Sequence, residues 1–180
     1  MNLSDEVLKR RAAGLEWLLF DVDGVLTDGT LIYTWRGEQV KFFNARDGMG
    51  FYLARKAGLK IGLLSGRRSR PLERRAADLK FDEVMLGSKD KQADFEYFLE
   101  KHETTPGRVS FMGDDLPDLP VLGRCALSFA PADAAPEVLD MVHVTVSKPG
   151  GAGAAREMIE TVLKARGSWD EILAHYSLGE

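Results

Sequence analysis

Leu15-Glu16-Trp17-Leu18-Leu19-Phe20 is an almost unbroken apolar run, and it stops at two carboxylates in Asp21-Val22-Asp23-Gly24-Val25-Leu26-Thr27-Asp28-Gly29. Such a run reads as a buried strand whose carboxyl end delivers acids to a site. On an extended backbone Asp21 and Asp23 point to one side and Val22 to the other, although a loop is free to bend. Paired carboxylates have a specific chemical use. One attacks a phosphoryl group to form an aspartyl-phosphate, while the other protonates the leaving oxygen and later takes a proton from water. Because two such acids repel, a divalent cation and a nearby lysine are expected beside them. Asp and Gly are equally at home in a plain turn, so the motif needs support from elsewhere in the chain.

A chain of 180 residues, 44% of them hydrophobic and 29% charged, is long enough for one domain spanning 1–180 with a real core. Its net charge of -4 offers no footprint for nucleic acid but leaves room for a local basic pocket. Cys125 has no partner for a disulfide, which fits a reducing compartment, and it reads as a small buried residue. No apolar segment approaches the roughly 18 residues of a membrane span, and Asp5 and Glu6 are unlike a signal peptide. Cytoplasmic residence is expected.

Along the chain, Ser4 caps a short helix ending at Gly14, and strand one covers 15–20. Residues 30–43 form a hairpin. With Arg36-Gly37 as its turn, Trp35 pairs with Glu38, Tyr33 with Val40 and Leu31 with Phe42. Leu31, Tyr33, Trp35, Val40 and Phe42 then share an apolar face, with Thr34, Gln39 and Lys41 opposite. That face needs a partner, either the domain's own core or another subunit. Asp47 caps a helix over 48–57, strand two is 59–64, a helix follows Pro71 to about Leu79, and strand three is 81–86. A helix over 92–102, strand four at 109–112, short strands at 126–130 and 141–146, and helices at 154–165 and 169–176 complete the chain. Alternation of strands and helices predicts a doubly wound parallel α/β sheet of Rossmann-like type, with the hairpin protruding.

Four polar clusters now occupy equivalent places. Asp21 and Asp23 follow strand one, Ser65 follows strand two, Lys91 follows strand three, and Asp114, Asp115 and Asp118 follow strand four. Ligands of open α/β sheets bind outside the carboxyl ends of the strands, so all four converge on one edge. Ser65 offers a hydroxyl and nearby backbone N–H groups to a phosphate oxygen, and Lys91 a fixed positive charge. Asp114, facing Asp21, completes a Mg²⁺ site of carboxylates, one carbonyl and water. Each residue has a plainer reading as a cap, a solvated charge or a turn; their joint order carries the argument. His102, His143 and His175 show no ligand spacing and read as helix-end, strand and surface residues.

D-x-D, a strand-end Ser, a Lys and G-D-D-x-x-D resemble the four motifs of the haloacid dehalogenase superfamily. The resemblance implies an Asp21 nucleophile that also binds metal, and an Asp23 acid/base that lends its carbonyl to the metal. It implies phosphoryl binding by Ser65 and Lys91, Mg²⁺ binding by Asp114, and supporting roles for Asp115 and Asp118. Superfamily phosphatases usually carry a cap domain between motifs. Here 41 residues separate Asp23 from Ser65 and only 25 separate Ser65 from Lys91, too few for one. A capless site must be covered some other way, and the hairpin points to neighbouring subunits.

The finer match, over D-V-D-G-V-L-T-D-G, F-N-A-R-D-G-M-G, S-G-R, G-S-K-D-K, G-D-D-L-P-D-L-P-V-L and K-P-G-G-A-G-A-A-R-E, looks like the 3-deoxy-D-manno-octulosonate 8-phosphate phosphatase family. Members are capless homotetramers that act in lipopolysaccharide precursor synthesis. By that resemblance Arg67 and Arg75 bind the sugar acid, with Arg46 and Arg156 as further candidates because a carboxylate suits a bidentate guanidinium. Leu86, Ala135 and Ala152 depart from the family pattern at positions that bear on sugar recognition. The alternatives are a phosphatase for a nine-carbon sialic-acid-type phosphate and a catalytically silent oligomeric module, against which the complete acid, Ser and Lys set argues.

Overall fold

The computed structural model describes residues 3–177. Six parallel strands form the central sheet: β1 (Trp17–Phe20), β4 (Lys60–Ser65), β5 (Glu83–Leu86), β6 (Val109–Met112), β7 (Leu127–Ala130) and β8 (Val144–Thr145), in the order β5-β4-β1-β6-β7-β8. β1 is central, and all four of its residues are buried. Its side chains alternate between two cores. Leu18 and Phe20 pack on one face with Phe51, Met158 and Ile159, while Trp17 and Leu19 pack on the other with Phe95, Phe98 and Phe111. This double burial explains why the strand reads as a continuous apolar run.

One face is covered by α1 (Asp5–Ala13), α2 (Ala45–Lys56), α3 (Arg70–Leu79) and α7 (Ala154–Ala165), the other by α4 (Lys91–Lys101), α5 (Leu119–Leu122) and α6 (Pro136–Met141). Helix α8 (Trp169–Tyr176) follows α7, with Trp169 and Ile172 half-buried against its core. Between Asp23 and Ser65 the chain makes only a hairpin, α2 and β4, and between Ser65 and Lys91 only α3 and β5, so neither interval holds a cap domain.

Three local expectations are corrected. The hairpin strands, β2 (Ile32–Thr34) and β3 (Gly37–Val40), pair Thr34 with Gly37, Tyr33 with Glu38 and Ile32 with Val40. The turn is therefore Trp35-Arg36, one residue earlier than predicted. The Thr34 hydroxyl accepts the Arg36 N–H at 3.2 Å, and a bulge beside Ile32 absorbs the extra residue on β3. The side chains of Glu38 and Gln39, and so the expected placement of Gln39 opposite the apolar face, lie outside the described residues. Second, α2 is capped by Asn44, whose side chain accepts the Arg46 N–H at 2.9 Å, rather than by Asp47. Asp47 instead turns inward and accepts the Arg156 N–H at 2.8 Å, tying α2 to α7. Third, the strand predicted over 141–146 shrinks to β8, because Pro136 starts α6, which runs to Met141.

Candidate active site

The carboxyl ends of β1, β4 and β6 and the start of α4 meet at one pocket of about 250 Å³, lined by Asp21, Asp23, Ser65, Arg67, Lys91, Asp114, Asp115 and Asp118. Asp21 is still held in the sheet, its N–H donating to the Met112 carbonyl at 2.9 Å. Beyond it the chain bends. The Val22 carbonyl accepts from Leu26 and Thr27, and Val22 itself is buried. At Gly24 φ is +86°, and a Cβ there would lie 2.0 Å from Asp114 Oδ2, so only glycine lets the two acidic loops approach.

Lys91 sits in the first turn of α4, which Asp90 caps by accepting from Gln92 N at 2.9 Å and Ala93 N at 3.1 Å. That placement buries the ammonium, with Nζ 3.0 Å from Asp21 Oδ1 and 2.5 Å from Asp118 Oδ1. Burial works against its charge, but the Asp21 and Asp118 carboxylates outweigh that cost and raise its pKa above the ordinary lysine value. Asp118 also ties its own loop together, its Oδ2 accepting from Asp114 N at 3.0 Å and Asp115 N at 3.3 Å. Both of its oxygens are therefore engaged, whereas Asp114 Oδ1 is buried with no hydrogen-bond partner. Asp115 caps the following turn through Leu116 N at 2.8 Å.

Carboxylate oxygens of Asp21, Asp114 and Asp118 lie within 4.8 Å of one another. Burial, opposed by Lys91 and reinforced by Asp118, pushes Asp21 up to about 6. Burial and the Asp21 and Asp118 charges push Asp114 up to about 8. An orphaned oxygen on Asp114 and crowded hard donors are what a divalent cation would satisfy, so the residues fit a Mg²⁺ ion. Ser65 is buried at the end of β4, its Oγ accepting the Arg67 N–H at 3.3 Å.

Of the four arginines, only Arg67 reaches this pocket, with Nε 3.6 Å from Asp23 Oδ2. Arg75 donates to the Asn44 carbonyl at 3.3 Å and stacks over Phe43. Arg46 and Arg156 line a separate cavity of about 480 Å³ with Lys148, Ala152 and Gly153. Leu86 packs against one core and Ala135 against the other, and the Ala135 N–H donates to the Asp114 carbonyl at 2.8 Å. Lys41, expected on the hairpin face opposite the apolar one, pairs with Asp23 Oδ1. Its position as a cation between Val40 and Phe42 was the only available signal. The histidines are held by neighbours: His102 contacts Glu83 at 2.7 Å, and half-buried His143 lies between Ser128 and Arg11.

No family model matches the chain. It is 38% identical over 160 residues to the 3-deoxy-D-manno-octulosonate 8-phosphate phosphatase of Haemophilus influenzae, covering 89% of each sequence. Its fold superposes on a probable YrbI family phosphatase from Pseudomonas syringae with a TM-score of 0.92 and 36% identity, covering 97% of this chain and 99% of that one. A Moraxella catarrhalis 3-deoxy-D-manno-octulosonate 8-phosphate phosphatase, solved with magnesium, phosphate and KDO, gives a TM-score of 0.92 at 28% identity, over 97% of this chain and 100% of that one.

Proposed function

The chain belongs to the 3-deoxy-D-manno-octulosonate 8-phosphate phosphatase family, and from that premise we propose that it is a single-domain, Mg²⁺-dependent phosphomonoesterase releasing phosphate from that keto-sugar acid. The observation that carries the reading is Lys91, buried in the pocket wall between Asp21 and Asp118.

Asp21 attacks phosphorus, and the bond from phosphorus to the sugar oxygen breaks. Asp23 delivers a proton to that oxygen, leaving the free sugar acid and an aspartyl-phosphate on Asp21. Asp23 then takes a proton from water as the water attacks phosphorus, which frees inorganic phosphate and regenerates Asp21. Ser65 and Lys91 hold the phosphoryl oxygens, and Asp118 keeps the ammonium aimed at them. The Asp21 and Asp114 carboxylates and the Asp23 carbonyl would hold Mg²⁺, which supplies charge neutralisation around the phosphoryl group. Arg67, which lines the same pocket, meets the sugar end of the substrate in this reading.

The reading extends to assembly. Tyr33, Trp35 and Phe42 on the hairpin are 59%, 87% and 67% exposed, apolar surface suited to packing against copies of the same chain in a homotetramer. There Arg46, Arg75 or Arg156 of a neighbour could complete sugar binding. The work belongs to the cytoplasm, in the supply of lipopolysaccharide precursors, where the lone thiol of Cys125 stays reduced. Phosphate release with Mg²⁺ from the eight-carbon acid phosphate, a nine-carbon sialic-type phosphate and hexose phosphates tests the assignment. A dominant kcat/KM for the eight-carbon substrate is expected; equal rates on all three would overturn it.

A further inference from the structure

Asp23 stands past the end of β1, on a loop, so its side-chain direction depends on what touches it. Lys41, just after β3, reaches it from the hairpin, with a side chain that is 0% exposed and an Nζ that pairs with Asp23 Oδ1. Thr27 Oγ donates to the same oxygen at 3.5 Å. Asp23 Oδ2 faces the other way, toward Arg67 Nε at 3.6 Å, and Arg67 Nη1 donates to the Tyr33 hydroxyl at 3.1 Å. A desolvated ammonium is costly unless paired, and here one partner is a pocket carboxylate.

We propose that Lys41 is a positioning residue for the reaction. By holding Oδ1 it fixes the carboxylate plane of Asp23 and leaves Oδ2 directed into the pocket beside Arg67. The hairpin thus serves the site of its own protomer, through Lys41 directly and through Tyr33 on Arg67, besides offering an outward apolar face. This inference rests on the acid/base reading of Asp23.

The test is a double-mutant cycle of Lys41→Met and Asp23→Asn, with Lys41→Arg as the conservative variant, reading kcat and KM separately. Lys41→Met is expected to lower kcat by about 30-fold or more with KM changed less than about 3-fold, the pattern of lost orientation rather than lost binding. Lys41→Arg should recover most of that loss. In the Asp23→Asn background Lys41→Met should add less than about 2-fold, because the group it orients is already gone. Losses of equal size in both backgrounds, or a Lys41→Met enzyme with unchanged kcat, would overturn the inference. Full turnover in Asp23→Asn would instead overturn the reading of Asp23 on which it rests. Thermal melting checks folding of each variant; if Lys41→Met does not fold, Lys41→Gln enters the same cycle.

Discussion

At the scale of single residues, charge and burial are in tension around Lys91. Asp21 and Asp114 are pushed up to about 6 and about 8 by burial and by neighbouring carboxylates, well above their ordinary 3.8. Folding in the absence of metal then takes up protons between about pH 4 and 8, so stability falls as pH rises through that window. We expect the melting temperature of the metal-free protein to decrease from pH 5 to pH 8, and added Mg²⁺ to reverse the trend. Calorimetry at constant ionic strength checks this, and the opposite slope would contradict the burial of these acids. Replacing Asp21 by Asn should cut kcat by about 10³-fold or more while the fold survives, which single-turnover kinetics and circular dichroism would verify. Cys125 makes the reverse case of an inert buried group. Burial pushes its thiol up to about 12, so iodoacetamide should leave the native protein unmodified at pH 8 and label it only after unfolding.

At the scale of elements, the glycine-rich segment 150–153 is a packing device. Gly151 N donates to the Val25 carbonyl at 3.0 Å, Gly150 N donates to Asp133 Oδ1 at 2.9 Å, and Asn44 Nδ2 reaches the Gly151 carbonyl at 3.3 Å. The segment thereby ties the loop after β1 to the start of α2. A Cβ at Gly150 would stand 1.9 Å from the Gly24 carbonyl oxygen. Gly150→Ala should therefore cost about 2 kcal/mol or more through forced displacement of the acidic loop, measured by denaturant titration, and should lower turnover as well. From sequence this stretch entered only as part of the K-P-G-G-A-G-A-A-R-E resemblance. Its real role depends on a backbone contact between residues more than 120 positions apart, which spacing cannot reveal. The hairpin misreading has a different origin: the Thr34 hydroxyl bond and the bulge moved the turn by one residue, a choice worth little energy locally.

At the scale of the whole molecule, the sheet order puts β1 between β4 and β6, so the three strand ends bearing Asp21, Ser65 and Asp114 are adjacent. The hairpin projects with Trp35 87% exposed. Light scattering at micromolar concentration is expected to report a tetramer, and Trp35→Glu to yield smaller species by burying a charge in the contact; a monomeric parent would refute the assembly. The α/β alternation, the buried central strand and the acid, Ser and Lys cluster are legible in the order of amino acids alone. Those features follow from apolar runs that must be buried on both faces and from polar residues stationed where strands end. Tertiary structure alone decided that Lys41 meets Asp23, that Asp47 turns inward to the Arg156 amide, and that three of the four candidate arginines lie away from the acid pocket of their own protomer. A long side chain on a loop or helix surface has many rotamers and no periodic constraint, so its partner is set by which elements the packed core brings within its reach.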